Sequence, residues 1–141
     1  MPEILTDDLL NSLKENPNLE DFFAQHREHF AEQPLPEYLS ALLREKALKK
    51  SSVIRDSMLN EVYAYQIFSG QKTPKRDKLL CLTIAMGLTL EETQSLLKKC
   101  GYPALYAKHQ RDCVIIRGIL EKKSVMELNS ILSRENFPLC L

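Results

Sequence analysis

The side chains best suited to chemistry gather between residues 48 and 77, which read LKKSSVIRDSMLNEVYAYQIFSGQKTPKRD. Side chains able to form hydrogen bonds occupy the middle of this segment: Asn60, Glu61, Tyr63 and Gln66. Groups that attract phosphate lie on either side of them: Lys50, Ser51, Lys72, Lys75 and Arg76. Two short helix-like segments meet there at a tight turn, ahead of a glycine and a basic loop. This arrangement indicates sequence-directed binding of double-stranded DNA.

The amides of this segment suit direct reading of bases. Asn and Gln pair bidentately with adenine, and Glu accepts a hydrogen bond from cytosine. Asn60 serves equally well as the N-cap of the second helix, and the helix dipole favours Glu61 in the first turn without any nucleic acid. Gln66 is the strongest candidate, because Ala64 and Ile67 on the opposite side are expected to fill the core.

The tyrosines and the cations of the segment raise separate expectations. Tyr63 and Tyr65 are two residues apart and cannot share one face of a helix, so we expect one of them to be mainly structural. Lys72, Lys75 and Arg76 precede and open a helix, where positive charge opposes the helix dipole. Their position favours an anion as partner, and DNA supplies phosphate.

The charges of the chain are unevenly distributed, although they sum to zero. Residues 1–40 carry nine acids and two bases, whereas residues 41–80 carry nine bases and four acids. The positive segment coincides with the motif. A neutral protein can therefore still present a local field that attracts phosphate.

Helical spacing of apolar residues runs through the chain, and no alternating run of β-branched residues indicates a strand. The predicted helices are 6–15, 19–30, 36–48, 51–57, 60–68, 74–86, 90–100, 109–122 and 125–136. Thr89 with Glu92, and Ser124 with Glu127, have the spacing of capping boxes. The predicted fold class is all-α.

The remaining reactive residues form no catalytic set. The four cysteines lack a CxxC pair and are interpreted as small buried hydrophobes in a reducing cytoplasm. His26 and His29 have no third metal ligand, and Cys113, one turn after His109, lies on an apolar run without an orienting group. No apolar run reaches the ~20 residues of a membrane span, and the acidic start of the chain is unlike a secretory signal. We therefore expect no enzyme activity, cofactor or metal.

Residues 36–101 resemble the lambda-repressor-like, Cro/C1-type (XRE) helix-turn-helix family. The resemblance is carried by the order and spacing of five helices, by Gly70 and Pro74, and by the junction GLTLEE before the fifth helix. It implies a five-helix DNA-binding domain, here with extra N-terminal and C-terminal helices. It also implies that the second motif helix, about 60–68, enters the major groove.

Two positions depart from the family pattern. Ile54 stands in the first motif helix, about 51–57, where the family has a small residue. A bulky side chain there is expected to splay the helix pair or shift its register. Met58 stands in the turn, where the family has glycine. A left-handed backbone is costly for methionine, so we expect the turn to differ.

The chain is predicted to comprise an acidic helical extension (1–35), a helix-turn-helix domain (36–101) and a C-terminal helical segment (102–141). The resemblance implies a cytoplasmic transcriptional regulator that binds DNA as a homodimer, since one short helix reads few base pairs. The alternative is an antitoxin or adaptor whose domain mainly holds another protein. In that case the acidic extension would offer a contact surface for the protein partner. The extension could equally fold back over the core or screen the basic motif in the free state.

Both flanks, 6–31 and 104–136, are expected to be ordered helices packed on the central domain. Their capping boxes and apolar stripes support this expectation. The C-terminal side chains expected to be mostly buried, some of them across a dimer interface, are Tyr106, Val114, Ile115, Ile119, Leu120, Val125, Leu128 and Leu132.

Overall fold

A computed structural model describes residues 6–15, 18–19 and 33–140 of the chain. The chain divides into two compact units, residues 1–31 and residues 32–141. All regular secondary structure in the described residues is α-helical, which confirms the predicted all-α class. Most of the predicted helix 19–30, together with His26 and His29, lies outside the described residues.

The first unit contains one described helix, α1, Thr6–Glu15. The helices of the second unit are α2 (Leu35–Glu45), α3 (Lys50–Ser57), α4 (Glu61–Ser69), α5 (Arg76–Ala85), α6 (Leu90–Lys99), α7 (Gln110–Leu120) and α8 (Val125–Arg134). Helix α5 begins two residues later than predicted, because Lys75 has an extended backbone and acts as its N-cap. Helix α2 ends earlier than predicted, because Ala47 adopts a positive φ of 52°.

The predicted capping boxes are present at the starts of α6 and α8. The Thr89 hydroxyl accepts from the amide of Glu92, and the Glu92 carboxylate accepts from the amide of Thr89, at 3.1 and 2.9 Å. Ser124 and Glu127 repeat this exchange at 3.1 and 3.0 Å. Each box satisfies two amides that the helix leaves unpaired, which fixes where the helix begins.

The core of the second unit is built around α5. Five consecutive residues of this helix, 79–83, are fully buried, so all of its sides meet other elements. Helix α3 packs on α5 and α4, and α2 packs on α4. The side of α4 that faces this core carries Ala64, Ile67 and Phe68. The two motif helices are thereby held in position from behind.

The last two helices, α7 and α8, pack on each other and on α6 and α5. As predicted, this buries Ile115, Ile119, Val125, Leu128 and Leu132. The burial predicted for Val114 is only partial, because this side chain packs at the edge of the core.

Two side chains that were expected to be buried are exposed in the single chain, and their burial across a dimer interface stays a prediction. Leu120 is 63% exposed, because it follows Ile119 around α7 and so points away from the core. Tyr106 is 46% exposed, and it lies in an irregular stretch where its ring faces that of His109 at 5.1 Å.

The turn between α3 and α4 contains a residue with a left-handed backbone conformation. Met58 has φ 64° and ψ 11°, so the expectation that methionine would avoid this conformation is wrong. The turn is braced by Ser57, whose buried hydroxyl donates to the carbonyl of Ile54 at 2.6 Å and accepts from the amide of Leu59 at 3.2 Å. Ile54 itself is 3% exposed and belongs to the core. These contacts offset the backbone strain at Met58.

We expect Met58→Gly to stabilise the protein by about 0.5–1 kcal/mol, because glycine removes the Cβ clash of the left-handed backbone. The matched control is Met126→Gly, which replaces a more exposed methionine inside α8 and should destabilise by about 1 kcal/mol. Urea unfolding of both variants measures these changes. Destabilisation of equal size at both positions would contradict the role assigned to the turn.

Candidate nucleic-acid interface

The outward face of α4 is centred on Val62. Successive residues of a helix are about 100° apart, so Val62 lies roughly opposite Ala64 and Ile67. Val62 is 65% exposed, and Tyr65 on the next turn is 40% exposed. Gln66 lies half-buried beside them. Val62 and Tyr65 are therefore open to contact with another molecule.

The predicted base-reading residues Asn60, Glu61 and Gln66 all lie at or beside this face. The side-chain oxygen of Asn60 accepts from the amide of Tyr63 at 3.0 Å, so Asn60 caps α4. That bond leaves its amide nitrogen available. Glu61 is exposed in the first turn, where the helix dipole favours it. The Gln66 side chain makes no hydrogen bond with another residue that the structure describes.

Tyr63 and Tyr65 lie on different sides of α4, as expected, and one of them is mainly structural. Tyr63 is half-buried and packs against the core on the flank of α4. Tyr65 lies on the outward face. Tyr65 is therefore the more accessible of the two tyrosines, and contact of Tyr63 with DNA stays a prediction.

Four of the predicted phosphate-binding groups are exposed on the elements before and after α4. Lys50 opens α3, with its ammonium 5.4 Å from the centre of the Phe68 ring, and Ser51 follows it on the surface. Lys72 and Lys75 are exposed in the loop between α4 and α5. None of these lysines forms an ion pair with a residue in the described ranges. They leave uncompensated positive charge beside the outward face.

Arg76 has a different role from the one predicted. Its guanidinium donates two hydrogen bonds to the carboxylate of Asp112, at 2.7 and 3.2 Å, and a third to the carbonyl of Ala104 at 3.4 Å. Its side chain is only 22% exposed. The guanidinium that was expected to bind phosphate is thus paired with a buried carboxylate. Arg76 ties α5 to α7 and is removed from the candidate interface.

A second arginine–aspartate pair lies beside the first. In this pair the aspartate is on α5 and the arginine is on α7. Arg111 donates to both carboxylate oxygens of Asp77 at 3.0 Å, and its Nε donates to the carbonyl of Pro138. Each Arg-Asp dipeptide, 76–77 on α5 and 111–112 on α7, therefore supplies the arginine for one pair and the aspartate for the other. The crossed pairs, as we call them, lock the start of α5 against the start of α7.

The same region anchors the basic loop before α5. The Tyr102 hydroxyl donates to the carbonyl of Pro74 at 2.6 Å, and Pro74 is buried. The amide of Lys72 donates to the carbonyl of Gln66 at 3.2 Å. The loop is thus fixed at both ends while Lys72 and Lys75 stay exposed. Binding of an anion by these lysines would require little ordering of the backbone.

The crossed pairs also affect the pKa of Asp112. Burial by itself would raise the pKa of this carboxyl. Hydrogen bonds from the Arg76 guanidinium and from the amide of Tyr106 outweigh the burial, and the pKa of Asp112 falls below its usual value. The carboxylate form is therefore the one that the fold stabilises.

Some of the cysteines are buried, and one is exposed. Cys81 and Cys140 are buried as predicted, and burial raises their pKa to about 12 and about 11, so both remain thiols at neutral pH. Cys113 contradicts the prediction because it is exposed, and its thiol donates to the carbonyl of Ala107 at 2.8 Å. In the described residues, no three acidic, histidine or cysteine side chains meet as metal ligands.

Sequence reasoning missed Val62, which stands at the centre of the outward face. The signal was present in the helical spacing. Once Ala64, Ile67 and Phe68 are assigned to the core, the opposite direction falls on Val62 and Ser69. Polar residues had been preferred for their chemistry, although an apolar side chain can also contact a base.

Comparison of the chain with protein-family models, with curated proteins and with solved structures finds no match. In the described ranges, no helix has both the length and the apolar character needed to cross a membrane. The function must therefore be argued from the residues of the interface itself.

Arg76→Ala should destabilise the protein by about 3 kcal/mol, because it leaves the Asp112 carboxylate buried and unpaired. The neighbouring Lys75→Ala serves as the control and should change stability by less than about 0.5 kcal/mol. Urea unfolding at neutral pH measures both. Equal stability of the two variants would show that the crossed pairs do not hold α7 to α5.

The lowered pKa of Asp112 predicts a pH dependence. Its contribution to stability is fully present above the unfolded pKa of about 3.9, and it is lost as the pH falls through the lower folded value. The difference in unfolding free energy between the wild type and Asp112→Asn should therefore be constant from pH 7 to about pH 5 and shrink below pH 4. A difference that stays constant to pH 2 would contradict this assignment.

Proposed function

We propose that this chain is a DNA-binding transcriptional regulator of the lambda-repressor-like helix-turn-helix type. The observation that carries the proposal is the outward face of α4, which is held from behind by α2 and α3, together with the exposed lysines of the adjoining elements, Lys50, Lys72 and Lys75. In this proposal α3 and α4 are the two motif helices. Helix α4 enters the major groove, and the lysines bind phosphates on both sides of it.

The order of α2 to α6 supports this fold type. Five short helices follow one another, with the third entering the groove in the family that the sequence resembles. The left-handed backbone at Met58 supports it as well, since the family places glycine at this position of the turn. The chain adds α7 and α8 behind the motif, and the crossed pairs connect them to α5.

Each side chain has a distinct role in the proposal. Gln66 pairs with the N6 and N7 atoms of an adenine, and the free amide nitrogen of Asn60 reaches a neighbouring base. Lys50, Lys72 and Lys75 set affinity and its dependence on salt, because each phosphate contact releases counterions. One α4 reads few base pairs, so a homodimer in the cytoplasm would read two half-sites.

A second candidate is an adaptor or antitoxin that holds a protein. One observation favours it: α4 carries no cation, and an apolar stripe made of Val62 and Tyr65 is exposed along it. Exposed apolar surface of this kind is also typical of protein contacts. The exposed lysines on the adjoining elements favour DNA, because phosphate attracts positive charge that no carboxylate of the described residues pairs with.

Selection of bound sequences from random duplexes by the full-length protein tests the proposal. With the selected duplex, Gln66→Ala should lose about 1–3 kcal/mol of binding free energy and relax specificity at one base pair. Its affinity for random duplexes, and the salt dependence of that affinity, should not change. The reason is that a base contact is lost and no phosphate contact is lost.

Lys75→Ala is the matched variant. It should weaken binding to selected and random duplexes alike and lower the slope of log affinity against log salt by about one unit. Titrations at several salt concentrations separate the two effects. If both variants bind like the wild type on every duplex, or if no sequence is enriched, the adaptor becomes the better proposal.

A further inference from the structure

Val62 is the most exposed of the large apolar side chains that the structure describes. It contributes nothing to the core, and a β-branched residue is a weaker helix former than alanine or glutamate. Neither packing nor helix propensity therefore explains a valine here. Its position at the second residue of α4 places it where a motif helix first meets the groove.

The neighbours of Val62 define the surface that it would meet. Gln66 lies one turn further along the same side, and the Asn60 amide nitrogen lies just before it. Cations lie at the other end of α4, where the Lys50 ammonium is 5.4 Å from the Phe68 ring and the Lys72 amide donates to the Gln66 carbonyl. A single exposed apolar residue needs no explanation. This one, however, shares its side of the helix with two side-chain amides that suit the major groove.

The major groove offers one apolar group, the C5 methyl of thymine. We propose that Val62 is a specificity-determining residue that packs on a thymine methyl. The proposal rests on the DNA-binding function proposed above and deepens it. Val62 and Gln66 are about 6 Å apart along the helix, and base pairs are about 3.4 Å apart. The thymine is therefore within about two base pairs of the base that Gln66 reads.

Replacement of thymine by deoxyuridine tests this proposal at the level of one methyl group. Each thymine of the selected duplex is replaced in turn, which removes the methyl and keeps every hydrogen-bonding group of the base. At one position in each half-site, the wild type should bind about fourfold more weakly, the effect of exposing one buried methyl. The other thymines should show no effect.

Val62→Ala completes a double-mutant cycle. The variant should lose several-fold affinity for the thymine duplex and should become indifferent to deoxyuridine at the sensitive position. Leu120→Ala is the control, because Leu120 is equally exposed at the end of α7, outside the motif. It should keep the full deoxyuridine effect. Thermal unfolding should show that both variants fold, since each loses little buried surface.

Three outcomes would overturn the proposal. If the protein binds its selected duplex but no thymine is sensitive, Val62 reads no methyl while the DNA-binding function still holds. If Val62→Ala and deoxyuridine weaken binding independently, so that their effects multiply, the methyl is read by another residue. If no duplex is selected at all, both proposals fail together, and the exposed stripe belongs to a protein contact.

Discussion

The arrangement of the second unit depends on the crossed pairs between α5 and α7. Arg76 and Asp112, and next to them Asp77 and Arg111, exchange bidentate hydrogen bonds within a partly buried region. Ion pairs on a surface contribute little, but a buried carboxylate without its partner is strongly destabilising. The pairs therefore act mainly as a constraint. They allow α7 only one position against α5, and with it the helix hairpin that α7 makes with α8.

This constraint also shapes the candidate interface. It removes Arg76 from the surface and, together with the bond from Tyr102 to Pro74, holds the basic loop in place. Lys72 and Lys75 stay exposed in a loop whose backbone is already ordered. In the proposed complex, little conformational entropy would then be lost when phosphate binds. The C-terminal helices thus support the interface although they lie behind the motif.

The outward face of α4 combines two kinds of chemistry. Gln66 and the capping residue Asn60 offer hydrogen bonds, and Val62 and Tyr65 offer apolar surface. The exposed apolar stripe favours a protein partner when it is considered alone. Taken with the exposed lysines of the adjoining elements, it fits a groove in which phosphates flank the bases and thymine presents a methyl. Charge is therefore the ground on which we propose DNA and not a protein as the partner.

The sequence by itself determined the helices, because caps, prolines and helical spacing are local. The capping boxes at Thr89 and Ser124 and the burial of Ile67 followed from residues a few positions apart. Which side chains remain free was decided only by the tertiary structure. Arg76 meets a carboxylate 36 residues away, and no local pattern announces that distant partner. Likewise, Tyr65 and Val62 face outward because α2 and α3 cover the other side of α4, and that covering depends on packing between helices.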